Sequence, residues 1–334
     1  MTETPLLPRP LRFSTGRARS HGAVTVVNAI ATGHGAAIGI DLATDATVTL
    51  APADKTRIDV AIEDEPSEPT ALAEACVRQV LERLGIEEPI HAVVKTRSTI
   101  PVSRGLKSSS AAANAIVLAT LTACGQTVGD GEEDVMDDQA AVRLGVDAAL
   151  AARVTITGAF DDAAASWFGG LVATDNPDRR IVHQEDVGDL ELLLVVPPRK
   201  VRTIDTMTAP THPLRPLVAE AHALVREGKW QEAMLRNSLA YGGSYGLSNR
   251  LVIHMLDTGA IAAGISGTGP AVAVVIRRDD WDCFTGIVGM LEPDARVLVA
   301  HTNRKKAQVL EDDEPLPEPL VVQEGARHAE EAVT

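Results

Sequence analysis

Read as a pattern of apolar and polar positions, the chain alternates short strand-like stretches with longer segments of helical period. Ala23 to Ile30, Ala46 to Leu50, Arg57 to Ile62 and Ile90 to Thr96 read as strands from their β-branched content and bounding turn residues. Thr70 to Gly85 reads as a helix. Leu72, Cys76, Val80 and Leu84 recur at steps of four on one face, Thr70 stands at the start and Gly85 at the stop. A Gly/Ser segment at 103 to 110 leads into an Ala-rich helical run to Ala123, and a polar, acidic stretch from Gly129 to Asp138 precedes another helix. Beyond it, Gly170 to Thr174 and Leu190 to Val196 read as strands, with two or three helices between Leu214 and Thr258. A glycine-rich turn at Gly264 to Pro270 precedes an apolar run, Ala271 to Ile276; a helix near Trp281 and a strand over Arg296 to Ala300 complete the pattern. Strands and helices mixed in this order predict an α+β fold rather than a doubly wound parallel sheet.

The ends lack this periodicity. Residues 1–15, with Pro5, Pro8 and Pro10, read as a disordered leader, and residues 310–334, with Glu311, Asp312, Asp313 and Glu314, as an acidic disordered tail. The folded part divides into domains at 16–175 and 176–309.

Composition narrows the function. The 334 residues suffice for a substantial core, and the 45% hydrophobic content comes with only 3% aromatic residues, so small aliphatic side chains should fill it. With 46 acidic against 31 basic residues, the net charge of -15 repels nucleic-acid backbones and anionic membranes. This acidic excess suits a salt-rich, halophilic cytosol, where charges are screened within a few ångströms, and equally an ordinary cytosolic enzyme. Cys76, Cys124 and Cys283 are scattered without CxxC spacing, which predicts buried thiols rather than disulfides or a zinc site. No apolar run reaches the roughly eighteen residues of a membrane span and no signal-peptide pattern opens the chain, which predicts a cytoplasmic address.

Three segments carry chemistry. In Pro101-Val102-Ser103-Arg104-Gly105-Leu106-Lys107-Ser108-Ser109-Ser110-Ala111, small residues precede an Ala-rich helix, whose free N–H groups and positive dipole end suit a polyphosphate. Ser108, Ser109 and Ser110 offer hydroxyls for phosphate or Mg²⁺, and Lys107 offers a cation. An ordinary capped helix is the plainer reading of the same residues. In Phe160-Asp161-Asp162-Ala163-Ala164-Ala165-Ser166, two adjacent carboxylates among apolar residues repel one another, so one should bind its proton more tightly; either could accept a proton or ligate Mg²⁺, and capping of the short run Ala163 to Trp167 is the plainer role for one of the pair. In Gly264-Ile265-Ser266-Gly267-Thr268-Gly269-Pro270, small residues before a strand allow close approach to a ligand, or simply make a turn.

Together, in this order, the three resemble the motifs of the GHMP kinases: the PxxxGLGSSAA phosphate loop, with Lys107 at its usual second glycine, the Asp-bearing element, and the glycine-rich third motif. GLKSSSAAANA, FDDAAAS and the stretch from Asn28-Ala29-Ile30-Ala31-Thr32-Gly33-His34-Gly35 resemble the archaeal shikimate kinases in particular. Arg104-Gly105-Leu106 is similar to the corresponding loop of homoserine kinases, and a nucleotide-binding, catalytically inactive relative is the non-enzyme alternative.

The resemblance implies the GHMP kinase fold, with an N-terminal ribosomal-protein-S5-domain-2-like domain and a C-terminal ferredoxin-like domain around a cleft. It implies phosphorylation of shikimate by ATP with Mg²⁺. ATP would lie on Pro101 to Ala111 and on Gly267, Thr268 and Gly269, with Ser108, Ser109 and Asp161 toward the metal. Asp161, or else Asp162, would act on the acceptor hydroxyl, with Lys107 beside it. Asn28, His34, Arg199, Arg202, Thr203, Asn237 and Tyr241 are the expected acceptor contacts, the arginines facing its carboxylate.

Overall fold

A long first hairpin sets the architecture: β1 (Thr15–Val27) runs antiparallel to β2 (His34–Pro52), from the pair Thr15 and Thr49 to the pair Val27 and Ala36. The computed structural model describes residues 13–129, 136–201, 206, 208–277, 281–311 and 314–323. β2 is long enough to serve two neighbours. Its C-terminal half pairs with β4 (Ile90–Ser98) and its N-terminal half with β5 (Leu171–Asp175). β3 (Arg57–Ile62) lies parallel to β4, joined through helix α1 (Ala71–Arg83), while β6 (Arg180–Glu185) pairs with β5 and the short β11 (Gln308–Val309) with β1. Helices α2 (Ser108–Ala123), α3 (Asp138–Ala151) and α4 (Phe160–Phe168) join α1 in packing on this seven-stranded sheet.

A second sheet has the order β12-β10-β7-β9-β8 and comprises β7 (Glu191–Val196), β8 (Ala262–Ile265), β9 (Val272–Ile276), β10 (Arg296–His301) and β12 (Leu320–Gln323). Helices α5 (Arg215–Arg226), α6 (Trp230–Tyr245), α7 (Arg250–Asp257) and α8 (Trp281–Leu291) accompany it. One core lies under the first sheet around Val80, Ile116 and Trp167, a second joins the two sheets through Ile38, Leu192 and Tyr241, and a third packs Met255, Phe284 and Val288 beyond the second sheet. The α+β class is as the pattern predicts, and small side chains do dominate the interior. A Cβ on Gly16 would lie 2.0 Å from Ala119 O, so β1 and α2 meet at backbone distance.

Several boundaries differ from the sequence reading. The apolar run through Ile30 is strand only to Val27; residues 28–31 form a buried loop whose backbone is satisfied by side chains of α6. The division after 175 falls inside the β5–β6 hairpin. The expected disordered tail contains β12, whose apolar residues cover the edge of β10, and Arg19 donates to the carbonyls of Glu314 and Pro315. The acidic residues 130–135, Asp312 and Asp313, and the outer parts of leader and tail, 1–12 and 324–334, lie outside the described residues. Cys76 and Cys124 are buried as expected, but Cys283 is exposed.

Candidate active site

The phosphate-loop segment makes an irregular turn into α2. Ser103, Gly105 and Lys107 have φ of 57°, 88° and 65°, so every second residue is left-handed. The first α2 backbone bond outside regular pairing runs from Ala111 N to Lys107 O, which leaves the N–H groups of Ser108, Ser109 and Ser110 without acceptors in the helix. Those groups border a cavity of about 410 Å³, lined also by Val102, Ser103, Gly105 and Lys107 and by apolar Ile62, Leu72, Ile116 and Val154. Polar N–H and hydroxyl groups at one wall and aliphatic side chains at another suit a ligand with a phosphate end and a flat apolar end.

The third motif braces this loop from the second sheet. Ser266 Oγ donates to Gly105 O at 2.6 Å and accepts from Thr25 N at 3.0 Å, while Gly267 N donates to Thr25 Oγ1 at 2.8 Å. Gly105 cannot carry a side chain here, because a Cβ would sit 2.1 Å from Ser266 O. Gly267 and Thr268 line the cavity; Gly269 holds the turn through a bond to Ser266 O.

Helix α4 delivers the paired acids. Its first turn starts at Ala159, with φ of 48°, and places Asp161 and Asp162 at the positive end of the helix. Lys107 Nζ lies 2.9 Å from Asp162 Oδ1, both largely buried, so the two helix starts meet through an ion pair. Asp161 turns the other way. It is 4% exposed, its Oδ1 accepts from Asn176 Nδ2 at 2.8 Å, and its backbone N–H donates to Asn176 Oδ1 at 3.2 Å. Burial, then the charge of Asp162, raise its pKa to about 7, against the opposing pull of Lys107 and the Asn176 bond.

A smaller cavity, about 40 Å³, adjoins the first and is lined by Asp161, Asn28, Thr25, Thr157 and Ile30 among others. Lys107, Asp162, Thr155, Ala159, Gly267 and Thr268 belong to both walls. A group passing from a ligand in the large cavity to one in the small cavity would cross between Lys107, the start of α2 and the two acids.

The expected site residues divide into those at the walls and those behind them. Pro101, Leu106 and Ala111 support the loop without lining the cavity, and Arg104 turns away to donate to Pro198 O. Asp161 borders only the small cavity, whereas Asp162 borders both, so Asp162 is the carboxylate that shares a cavity with the hydroxyls of Ser108 and Ser109. Asn237 and Tyr241 hold the 28–31 loop. Asn237 Oδ1 accepts from Asn28 N at 2.8 Å, and the Tyr241 hydroxyl accepts from Ala31 N at 2.9 Å and donates to Asn28 O at 3.0 Å. His34 lies instead against His222, ring centres 5.4 Å apart, and 3.7 Å from Asp175 Oδ2. Arg199 is exposed and lines neither cavity, and Arg202 and Thr203 lie outside the described residues. Asn176, the Thr25–Ser266 brace and the 155–157 loop were not foreseen as site residues. Ser266 lies inside the glycine-rich motif and the 155–157 loop just before the acid motif, so these carry a local signal, whereas Thr25 and Asn176 do not.

This fold, with a helix-start phosphate cradle beside a buried acid, defines a GHMP-type small-molecule kinase. The sequence model for the GHMP kinases N terminal domain matches residues 71–170, spanning the cradle and the acids. A homoserine kinase from Cytophaga hutchinsonii superposes with a TM-score of 0.71 at 17% identity, covering 89% of this chain and 98% of its own. Sequence similarity is far closer to shikimate kinases. That of Methanosarcina acetivorans is 41% identical over 264 residues, 79% of this chain and 86% of the relative, and that of Methanococcoides burtonii is 40% identical over 289 residues, 86% and 96%. The chain belongs to this shikimate kinase family within the GHMP kinases. No helix among the described residues is long and apolar enough to cross a membrane.

Proposed function

We propose that this chain is a cytoplasmic enzyme that transfers the terminal phosphoryl group of ATP to the 3-hydroxyl of shikimate, giving shikimate 3-phosphate and ADP. The observation that carries the reaction type is the buried Asp161 on a small cavity whose wall includes Lys107, beside the larger cavity at the open start of α2. The choice of acceptor is supported by the relatives at about two-fifths identity over most of the chain.

In this reading the acceptor hydroxyl faces Asp161. As its oxygen forms a bond to the γ-phosphorus and the bond to the β-phosphate oxygen breaks, the hydroxyl proton passes to the Asp161 carboxylate, whose pKa near 7 matches that task. The N–H groups at Ser108 to Ser110 and the Lys107 ammonium stabilise charge on the transferred group and on the departing diphosphate. Mg²⁺ fits the donor chemistry here. It takes one or two carboxylates together with phosphate oxygens, so it does not need a cluster of three protein acids or imidazoles, which the described residues lack. Asp162 and the hydroxyls of Ser108 and Ser109 would hold it, and it would supply charge neutralisation at the phosphates. Arg104, the residue shared with homoserine kinase loops, is committed to Pro198 O and lines neither cavity, so it gives no support to that acceptor.

The test is ADP release with ATP and Mg²⁺, offering shikimate, homoserine and mevalonate in parallel at low and at molar KCl. Turnover on shikimate alone is expected, and Asp161→Asn should reduce it by at least about 10²-fold with nucleotide binding retained. Turnover on homoserine would overturn the acceptor assignment, and near-normal turnover of Asp161→Asn would transfer the proton-accepting role to Asp162.

A further inference from the structure

Asn176 opens the turn between β5 and β6, and its backbone is held on both sides. Its N–H donates to Gly33 O at 2.9 Å, and its carbonyl accepts from Arg179 N at 3.1 Å. Its side chain is buried and reaches back to the first turn of α4. The orientation of the amide follows from its neighbours. The Asp161 backbone N–H can only donate, so the atom facing it must be Oδ1, which leaves Nδ2 to donate to Asp161 Oδ1. Thr174 Oγ1, fully buried in β5, donates to the same Oδ1 at 2.7 Å and fixes that orientation. The amide therefore presents its donor edge to the carboxylate and cannot turn over without setting two donors, Asp161 N–H and Nδ2, against each other.

From this geometry we propose that Asn176 is the positioning residue for Asp161, and that with Thr174 it holds the carboxylate in place at the small cavity. The proposal rests on the reading of Asp161 as the proton acceptor. The bond from Asn176 Nδ2 removes the rotation about the Asp161 side chain that would otherwise let the carboxylate leave the acceptor.

A simpler role competes with this one. By accepting the Asp161 N–H, Asn176 could act only as a cap for α4, which would affect stability and nothing else. The split between kcat and KM, read well below the melting temperature, separates the two. In Asn176→Ala the tether on the carboxylate is lost, and kcat should fall by about 10- to 30-fold with KM for ATP within about twofold, since the phosphate cradle is built on another helix. Thr174→Val keeps the shape of the side chain and removes only the hydroxyl; it should lower kcat by a smaller amount.

The measurement is kcat and KM for ATP, well below the melting temperature, for the wild type, Asn176→Ala, Thr174→Val and Asp161→Asn, with thermal melts on each. A kcat within about twofold of wild type in Asn176→Ala while the melting temperature drops would overturn the proposal in favour of a cap. Should Asn176→Ala fail to fold, an unchanged kcat in Thr174→Val would overturn it equally. If Asp161→Asn alone retains normal turnover, the assignment of Asp161 has failed, and with it the basis of this proposal. If Asp161→Asn is inactive and kcat of Asn176→Ala is unchanged, only the positioning role is lost.

Discussion

Replacing Gly35 by alanine tests the placement of Asp161 without touching its charge. A Cβ at position 35 would stand 2.2 Å from Asp161 Oδ2, 2.5 Å from Cγ and 2.9 Å from Cβ. Gly35 is a strand residue of β2, paired with Thr174, and its backbone lies outside the left-handed region. The perturbation is therefore steric and local. To reach ordinary contact the carboxylate oxygen must retreat by about 1 Å, and it cannot simply rotate away, because its partner oxygen is tied to Asn176. A displacement of that size at a reacting group costs about 10²-fold in rate. The overpacking itself should cost about 1–3 kcal/mol, which a domain of ordinary stability survives. Steady-state ADP release, nucleotide titration calorimetry and a thermal melt together read the outcome. The expected result is a kcat lower by about two orders of magnitude, a lowered melting temperature and a nucleotide Kd within about twofold of wild type. A folded Gly35→Ala enzyme with kcat within about threefold of wild type would refute the reasoning, since Asp161 would then tolerate a shift of its working oxygen.

Two further outcomes follow from the same contacts. Burial raises the pKa of Asp161 to about 7, so the folded chain binds more protons than the unfolded chain between about pH 4 and that value; the stability this group contributes is full at low pH and is lost as pH rises through about 7. Asp161→Asn abolishes that titration, and its melting temperature relative to wild type should therefore increase from about pH 5 to about pH 8; a difference independent of pH would mean that Asp161 does not titrate in this range. Gly105→Ala imposes a left-handed φ of 88° on a residue with a Cβ and drives that Cβ to 2.1 Å from Ser266 O. It should raise KM for ATP about tenfold or more and destabilise the fold by about 1–3 kcal/mol, read by kinetics and urea denaturation; an unchanged KM would show that the loop is not shaped by that contact.

The candidate phosphate cradle was legible in the sequence because it is local. Pro101 to Ala111 contains both the turn and the helix start, and nothing distant is needed to see that the N–H groups of Ser108 to Ser110 lack acceptors. The acid pair was half legible. Adjacent Asp161 and Asp162 announce a site, but their roles are divided by Lys107 on one side and Asn176 on the other, each from a different element. Asn176 itself looks like any turn residue after a strand. The apolar content of Ala29 and Ile30 suggested more strand than there is, because burial alone does not separate a ladder from a loop whose backbone is satisfied by Asn237 and Tyr241. The converse holds for β6 and β12. Arg180–Glu185 is polar and half-exposed, and Leu320–Gln323 is embedded in proline and acid, so neither shows the alternation that marks a strand.

The third motif explains why three segments so far apart in the chain make one site. Ser103 and Lys107 hold left-handed conformations that cost about 1–3 kcal/mol each in an ordinary residue, and the phosphate loop does not satisfy that cost by itself. The offsetting contacts come from elsewhere: Ser266 to Gly105 O, Ala271 N to Arg104 O, and Thr25 to both Ser266 and Gly267. One partner lies in the first strand of the first sheet and the others between two strands of the second. The cradle therefore takes its shape only when the second sheet is docked on the first. A nucleotide that binds the formed cradle must then stabilise both sheets together, since ligand binding favours every contact on which the binding conformation depends. The small cavity inherits the same dependence, because Thr25, Asn28, Gly267 and Thr268 supply part of its wall. Docking of the two sheets thus builds the helix-start cradle and the small cavity in one step, and it is this shared wall that brings Lys107 and the paired acids between the two cavities.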